Sequence, residues 1–305
     1  MSQIPFYSDN EPKPHGWQRA SMSLPSATEK RYDSLLDTAI GYARRGYWSS
    51  RWILSNPARC VDLVGARFHV AVARTAGQVV ELDGVKVQLR PHYSLRLARA
   101  LLARTYAGAE RQLVRDALED DDVVMEVGSG IGVIAALCAR RLGSNRIVAF
   151  EAHPAMVEAA RATFALNGIA PQLEHCALGC VAGIRTLHAS DTLGDTGPDR
   201  YARKFLVPGR TLRDALRAHR PSFLIIGIGG GECQLIKDVI ELGIRKVLIA
   251  FHPIEIGTPT ICRAQRAFAQ AGYVPVNASA DGNRVLYRRD AAVPTVIDST
   301  PSRGA

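Results

Sequence analysis

No stretch of this 305-residue chain approaches the roughly 20 consecutive apolar residues that a membrane-spanning helix requires, so no membrane partner is expected. The opening residues, Met1-Ser-Gln-Ile-Pro-Phe-Tyr-Ser, are polar and have no basic region leading into an apolar core. No secretory signal is therefore read, and a cytoplasmic setting is expected. The six cysteines (Cys60, Cys138, Cys176, Cys180, Cys233 and Cys262) include no C-x-x-C pair, and no histidines cluster at metal-ligand spacing. That argues against a disulfide framework and against structural zinc, so no metal is expected. Several of the cysteines fall in apolar stretches, where a thiol serves as a small hydrophobe. A run of five like charges is also missing, although the net charge is +9. The basic residues are dispersed, as at Arg44-Arg45, Arg140-Arg141 and Arg288-Arg289. Charge this diffuse reads as arginine-rich helix surface and argues against nucleic acid, while its sign is compatible with an acidic small-molecule acceptor.

What the chain does have is apolar content, 47%, enough for one sizeable core with appendages. Residues 1–30 hold several prolines and no periodicity, which predicts a mobile arm. From Arg31 to about Val64 the pattern is largely helical, through Leu35, Leu36, Ile40 and Tyr42. It carries an aromatic group, Tyr47, Trp48 and Trp52, that would pack this segment down or form a lid. Val79 to Leu89 alternates on both sides of Asp83-Gly84, the signature of a hairpin with a type I′ turn. Helices are expected over Ser94–Thr105 and Glu110–Leu118. Residues 31–108 thus form a helical and hairpin accessory region, residues 109–289 the main domain, and residues 290–305 a disordered tail.

In the main domain strands and helices alternate, which predicts an α/β fold with a mostly parallel sheet covered on both faces. Seven strands are read: Val123–Val127, Arg146–Phe150, Gln172–Ala177, Phe223–Ile228, Lys246–Phe251, and a final antiparallel pair at Tyr273–Val276 and Arg284–Tyr287. Helices are read over Ile131–Leu142, from Pro154 to Leu166, and from Glu232 to Leu242, with glycines at 143, 168 and 243 as stops. Thr258-Pro259 is expected to cap the helix that ends at Gly272. Thr211-Leu-Arg-Asp214 resembles a capping box. Ser190–Pro208 is read as an irregular connector bordering the substrate site.

The first two strands carry the chemistry. Val123-Val-Met-Glu-Val-Gly-Ser-Gly-Ile-Gly132 is an apolar run that ends in an acidic residue and three glycines, and Val148-Ala-Phe-Glu-Ala-His-Pro154 is a second run ending in Glu151. A strand, glycine loop, helix and strand in this order cradle an adenosyl ligand. The glycines at 128, 130 and 132 read G-x-G-x-G, whereas dinucleotide binders place the third glycine one residue later. That spacing favours S-adenosylmethionine (SAM) over a nicotinamide dinucleotide. Glu126 is placed to meet the ligand's ammonium group or to orient the loop. Glu151 is placed to accept from the two ribose hydroxyls, with Ala152 and His153 against the adenine.

Four stretches together resemble the FkbM-type methyltransferases, a class I SAM-dependent group that mostly O-methylates small molecules, sugars and natural products. They are Glu126 to Gly132; Ala149 to Pro154 with Leu166-Asn167; Thr211 to Leu216; and Leu224 to Glu232 with Ile249 to Pro253. The resemblance implies a Rossmann-like sheet. It also implies SAM contacts from Glu126, Gly128, Ser129, Gly130, Ile131, Gly132, Glu151, Ala152, His153 and Ala177. Where the family commonly has acidic residues after strand four and at the end of strand five, this chain has Gly227, Gly229 and Ala250, and only Glu232 remains. Three readings follow: transfer by alignment with His252 or Glu232 handling a proton, an acidic acceptor in the emptied site, or SAM binding without turnover. A nucleic-acid methyltransferase is the enzymatic rival. It lacks the Asn/Asp-Pro-Pro-aromatic motif, since Gly227-Ile-Gly-Gly-Gly stands there.

Overall fold

The computed structural model describes residues 69–189 and 203–290, which belong to one compact unit beginning at Arg67. The arm at 1–30, the helical and aromatic segment at 31–64 and the tail after Asp290 lie outside the described residues.

After a helix at 69–75 the chain forms the hairpin β1 (Val79–Leu82) and β2 (Val85–Gln88), then α1 (Leu95–Leu102) and α2 (Gly108–Ala117). Asp83 and Gly84 both have positive φ, +49° and +83°, as a type I′ turn requires. The sheet follows as β3 (Val124–Val127), α3 (Val133–Leu142), β4 (Ile147–Glu151), α4 (Pro154–Leu166) and β5 (Gln172–His175). Three strands then leave it: β6 (Ala177–Gly179), β7 (Gly183–Ala189) and β8 (Arg203–Thr211). The chain returns through α5 (Leu212–His219), β9 (Phe223–Ile226), α6 (Glu232–Leu242), β10 (Lys246–Ala250), a short α7 (Pro253–Ile256), α8 (Thr258–Gln270), β11 (Tyr273–Ala278) and β12 (Arg284–Arg289).

The seven-stranded sheet runs β11-β12-β10-β9-β3-β4-β5, with β5, β4, β3, β9 and β10 parallel and β11 and β12 antiparallel. From β3 the chain builds outward in one direction through β4 and β5, then returns to β3's other side with β9. Such a switch point opens a crevice at the strands' carboxyl ends, where ligands bind. Alternation along the strands divides the core. Val124, Ala149, Ile225 and Leu248 face the hairpin and α1 to α4, whereas Met125, Phe150, Leu224 and Ile249 face α5, α6 and α8. Glu126 lies on the first of these faces. Among the described residues, no helix is long and apolar enough to cross a membrane.

Three expectations need correction. The segment before Pro208 is not irregular throughout: β7 and β8 pair antiparallel, and β6 joins β8 in a separate three-stranded sheet. Val207 is buried while Leu206 is 74% exposed, so β8 has the period of a strand. The Pro208-Gly209 pair within β8 reads as a break and concealed it. The sheet strand runs only to His175, with a last rung from the Cys176 amide to the Glu151 carbonyl at 3.0 Å, and Ala177 belongs to β6 instead. Thr258 is likewise not the cap of α8. Gly257, with φ of +81°, holds that place, and Thr258 opens the helix. Thr211, by contrast, caps α5 as its sequence suggests, accepting from the Asp214 amide at 3.0 Å.

The amino-terminal edge of the sheet is closed by charge. Lys246, completely buried, donates to Asp122, to Glu119 at 3.1 Å and to the Ala117 carbonyl at 2.8 Å. Arg245 reaches Asp122 at 2.8 Å, and Arg288 reaches Glu119. Glu119, Asp121 and Asp122 form the single group among the described residues that could hold a metal ion, and these cations already neutralise it.

Candidate functional site

The opposite, carboxyl-terminal edge holds the sequence-predicted cradle. Between β3 and α3 the chain turns at Gly128, Gly130 and Gly132, with φ of +88°, +56° and +82°. These are left-handed conformations that favour glycine. Packing adds a second demand at two of them. A side chain on Gly128 would collide with the Gly227 carbonyl beyond β9, and one on Gly132 would lie 2.8 Å from Phe164 and 3.0 Å from Ala160 of α4. Those two glycines are therefore required by the fold itself, not only where a ligand meets the backbone. Gly130 is different: its open side faces the Tyr106 hydroxyl, 3.0 Å from where a Cβ would stand.

Glu151, at the end of β4, ties the loop to the neighbouring strand. One carboxyl oxygen accepts from the Gly130 amide at 2.7 Å and the other from the His153 amide at 2.8 Å. Burial raises its pKa, with the surrounding amides opposing. Glu126 is also buried and accepts from the Ser129 hydroxyl at 2.8 Å. Burial lifts its pKa to about 8, the Ser129 bond opposes this, and the nearby Glu151 carboxyl adds to it. Among the described residues no lysine or arginine pairs with either acid. Isolated buried carboxylates are costly, and the raised pKa values express that cost.

The remaining predicted contacts surround this pair. Ile131 is fully buried. The His153 ring caps α4 by accepting from the Ala155 amide at 3.1 Å, and it lies 5.1 Å from the Phe205 ring of β8. The Ala152 carbonyl contacts the His175 ring at 3.1 Å. Ala177 stands beyond the end of β5 and opens β6.

Glu232 and His252, from the ends of the loops after β9 and β10, meet side chain to side chain. Glu232 has no exposed surface and also accepts from the Gly230 and Gly231 amides at 3.1 and 2.9 Å. Burial raises its pKa, but the His252 hydrogen bond and the amides outweigh burial and hold the carboxyl low. The same bond raises the pKa of His252 against desolvation. The His252 side chain retains 27% exposure, so one carboxylate braces the glycine loop and orients a reachable imidazole. Gly227 has open space towards the Ala250 methyl at 4.0 Å, whereas Gly229 has φ of +66° and resists any side chain.

Tyr106 is the member of the site that the sequence did not disclose. It is a lone aromatic in the short gap between α1 and α2, with no motif around it.

No family model matches the chain, and no curated protein matches it. Solved structures give remote likenesses. A methyltransferase from Pyrococcus furiosus is 15% identical over 74% of this chain and 97% of its own, with a TM-score of 0.39. A ribosomal protein L11 methylase from Lactobacillus delbrueckii subsp. bulgaricus is 15% identical over 59% of this chain and 77% of its own, at 0.38. A precorrin-6y C5,15-methyltransferase from Geobacter metallireducens GS-15 is 16% identical over 59% and 87%, at 0.36. Scores this low decide nothing about ligand or reaction, which rest on the residues themselves. The strand order, with the glycine turn at its switch point, decides the fold. It is Rossmann-like, of the class I methyltransferase kind.

Proposed function

We propose that this chain is a SAM-dependent methyltransferase. One observation carries the reading: two buried carboxyl groups, Glu126 and Glu151, flank the glycine turn at the switch point and, among the described residues, meet no cation. A ligand with an ammonium group and two vicinal hydroxyls supplies the donors they lack, and SAM has both. Glu126 would take the ammonium and Glu151 the ribose hydroxyls. Ser129 and Ile131 would border the amino-acid end, and Ala152, His153 and Ala177 the base. When bound, SAM supplies an electrophilic methyl group on a sulfonium sulfur. The protein's part is to hold that group in line with an acceptor, keep water away and remove a proton.

For the proton, the reading assigns His252, held by Glu232 through Nδ1 so that Nε2 is left for the acceptor. Glu232 is a positioning residue behind it. No carboxylate stands at positions 227, 229 or 250, and Glu232 is turned to its own loop amides and to His252, so a hydroxyl or carboxyl on a small molecule meets fewer negative charges there. The FkbM-type resemblance supports O-methylation of such an acceptor. Labelled SAM offered with a panel of small hydroxyl and carboxyl compounds tests this. Incorporation into at least one is expected, whereas tight binding with no transfer to any would favour a SAM-binding protein without turnover.

A further inference from the structure

Tyr106 sits in a turn that the backbone alone would not choose. Arg104 and Ala107, on either side of it, have φ of +58° and +49°, in the left-handed region that side chains disfavour. The buried Arg111 guanidinium holds this turn, donating to the Arg104 carbonyl at 2.7 Å and the Tyr106 carbonyl at 2.9 Å. Its third contact is Asp83, at the tip of the hairpin. Hairpin, α2 and a strained turn are thus tied together by Arg111, with Tyr106 held in the turn. Its hydroxyl lies over Gly130, 3.0 Å from where a Cβ would stand.

We infer that Tyr106 is a ligand-binding residue that donates its phenolic hydrogen to the carboxylate of the ligand's amino-acid end. This rests on the SAM reading above. The ammonium and carboxylate of that end are borne on one carbon, so the group beside Glu126 is the group that meets the carboxylate. A carboxylate entering between Glu126 and Glu151 is repelled unless neutral donors receive it. The phenol qualifies, since it is an uncharged donor whose hydroxyl can turn its hydrogen toward the ligand. Burial and the neighbouring Glu126 carboxyl hold its pKa far above the usual phenol value, so the hydrogen is retained at neutral pH.

The test compares S-adenosylhomocysteine with 5′-methylthioadenosine, which has the same nucleoside and thioether but no amino-acid chain. Both are titrated calorimetrically into the wild-type protein and Tyr106→Phe. The variant is expected to bind S-adenosylhomocysteine about tenfold or more weakly, the scale of a hydrogen bond to a charged group. Methylthioadenosine should bind within about twofold of wild type, which a merely structural role for Tyr106 would not produce. Equal losses for both ligands, or no loss for either, overturn the inference while leaving the SAM reading intact. A wild-type protein that binds neither ligand overturns both.

Discussion

Asp122, two residues before β3, and Glu126, near its carboxyl end, both have buried carboxyl groups, but among the described residues only Asp122 meets cations. Lys246 and Arg245 hold its pKa low against desolvation, whereas at Glu126 the rise is opposed by the Ser129 hydrogen bond and by no cation among the described residues. One edge of the sheet is thus electrostatically complete within the chain. The other presents two acids whose natural complement is a ligand.

The pH dependence follows from sign. The folded pKa of Glu126 is about 8, well above the ordinary carboxyl value, so between those values the folded protein binds more protons than the unfolded chain. Stability without ligand should therefore fall as pH rises through that window. Pairing with an ammonium group requires the ionised form, so S-adenosylhomocysteine should bind roughly fiftyfold more tightly at pH 8 than at pH 6, with proton release. Glu126→Gln should remove most of this slope. Affinity that does not change with pH in the wild type would refute the assignment.

At the other edge, Lys246→Met should cost about 3 kcal/mol of unfolding free energy, because it removes the buried partner of Asp122 and leaves that carboxyl only Arg245 as a cation among the described residues. Adding Asp122→Asn should restore part of that loss. Denaturant melts of the three proteins measure it. Additive losses in the double variant would mean that the pair is not coupled.

For His252, transfer should rise with pH through an imidazole pKa above the usual histidine value, since the Glu232 hydrogen bond raises it. In Glu232→Gln that support is lost, and the rising limb should move to lower pH. A limb that stays in place would remove His252 from proton transfer.

Gly227 and Gly229 should respond differently to an acidic side chain. Gly227 has room facing Ala250, so Gly227→Asp should fold and change turnover or acceptor choice more than SAM affinity. An effect confined to affinity would sink that idea. At Gly229 the positive φ makes any such replacement strained.

Much of this was legible in the chain. Glu126, the glycines and Glu151 declare themselves because a strand, turn, helix and strand must follow one another in sequence, and the helix from Pro154 to Leu166 has its limits written in proline and glycine. Contacts across the fold were not legible. That Gly128 makes way for the Gly227 carbonyl depends on β3 and β9 being neighbours, a fact of topology. Tyr106 reaches the loop through a turn held by Arg111 and Asp83, residues 28 apart, and no local pattern encodes it. The β7–β8 pair was hidden by a proline and glycine inside a strand.

The most direct test of the central claim is a calorimetric titration of S-adenosylhomocysteine into the wild-type protein and Glu151→Ala, with a nicotinamide dinucleotide as the competing ligand. The wild type should bind S-adenosylhomocysteine saturably and the dinucleotide not at all. The variant should bind more weakly by about 1–3 kcal/mol, the scale of lost charged hydrogen bonds. Dinucleotide binding without S-adenosylhomocysteine binding, or an affinity untouched by Glu151→Ala, would contradict it.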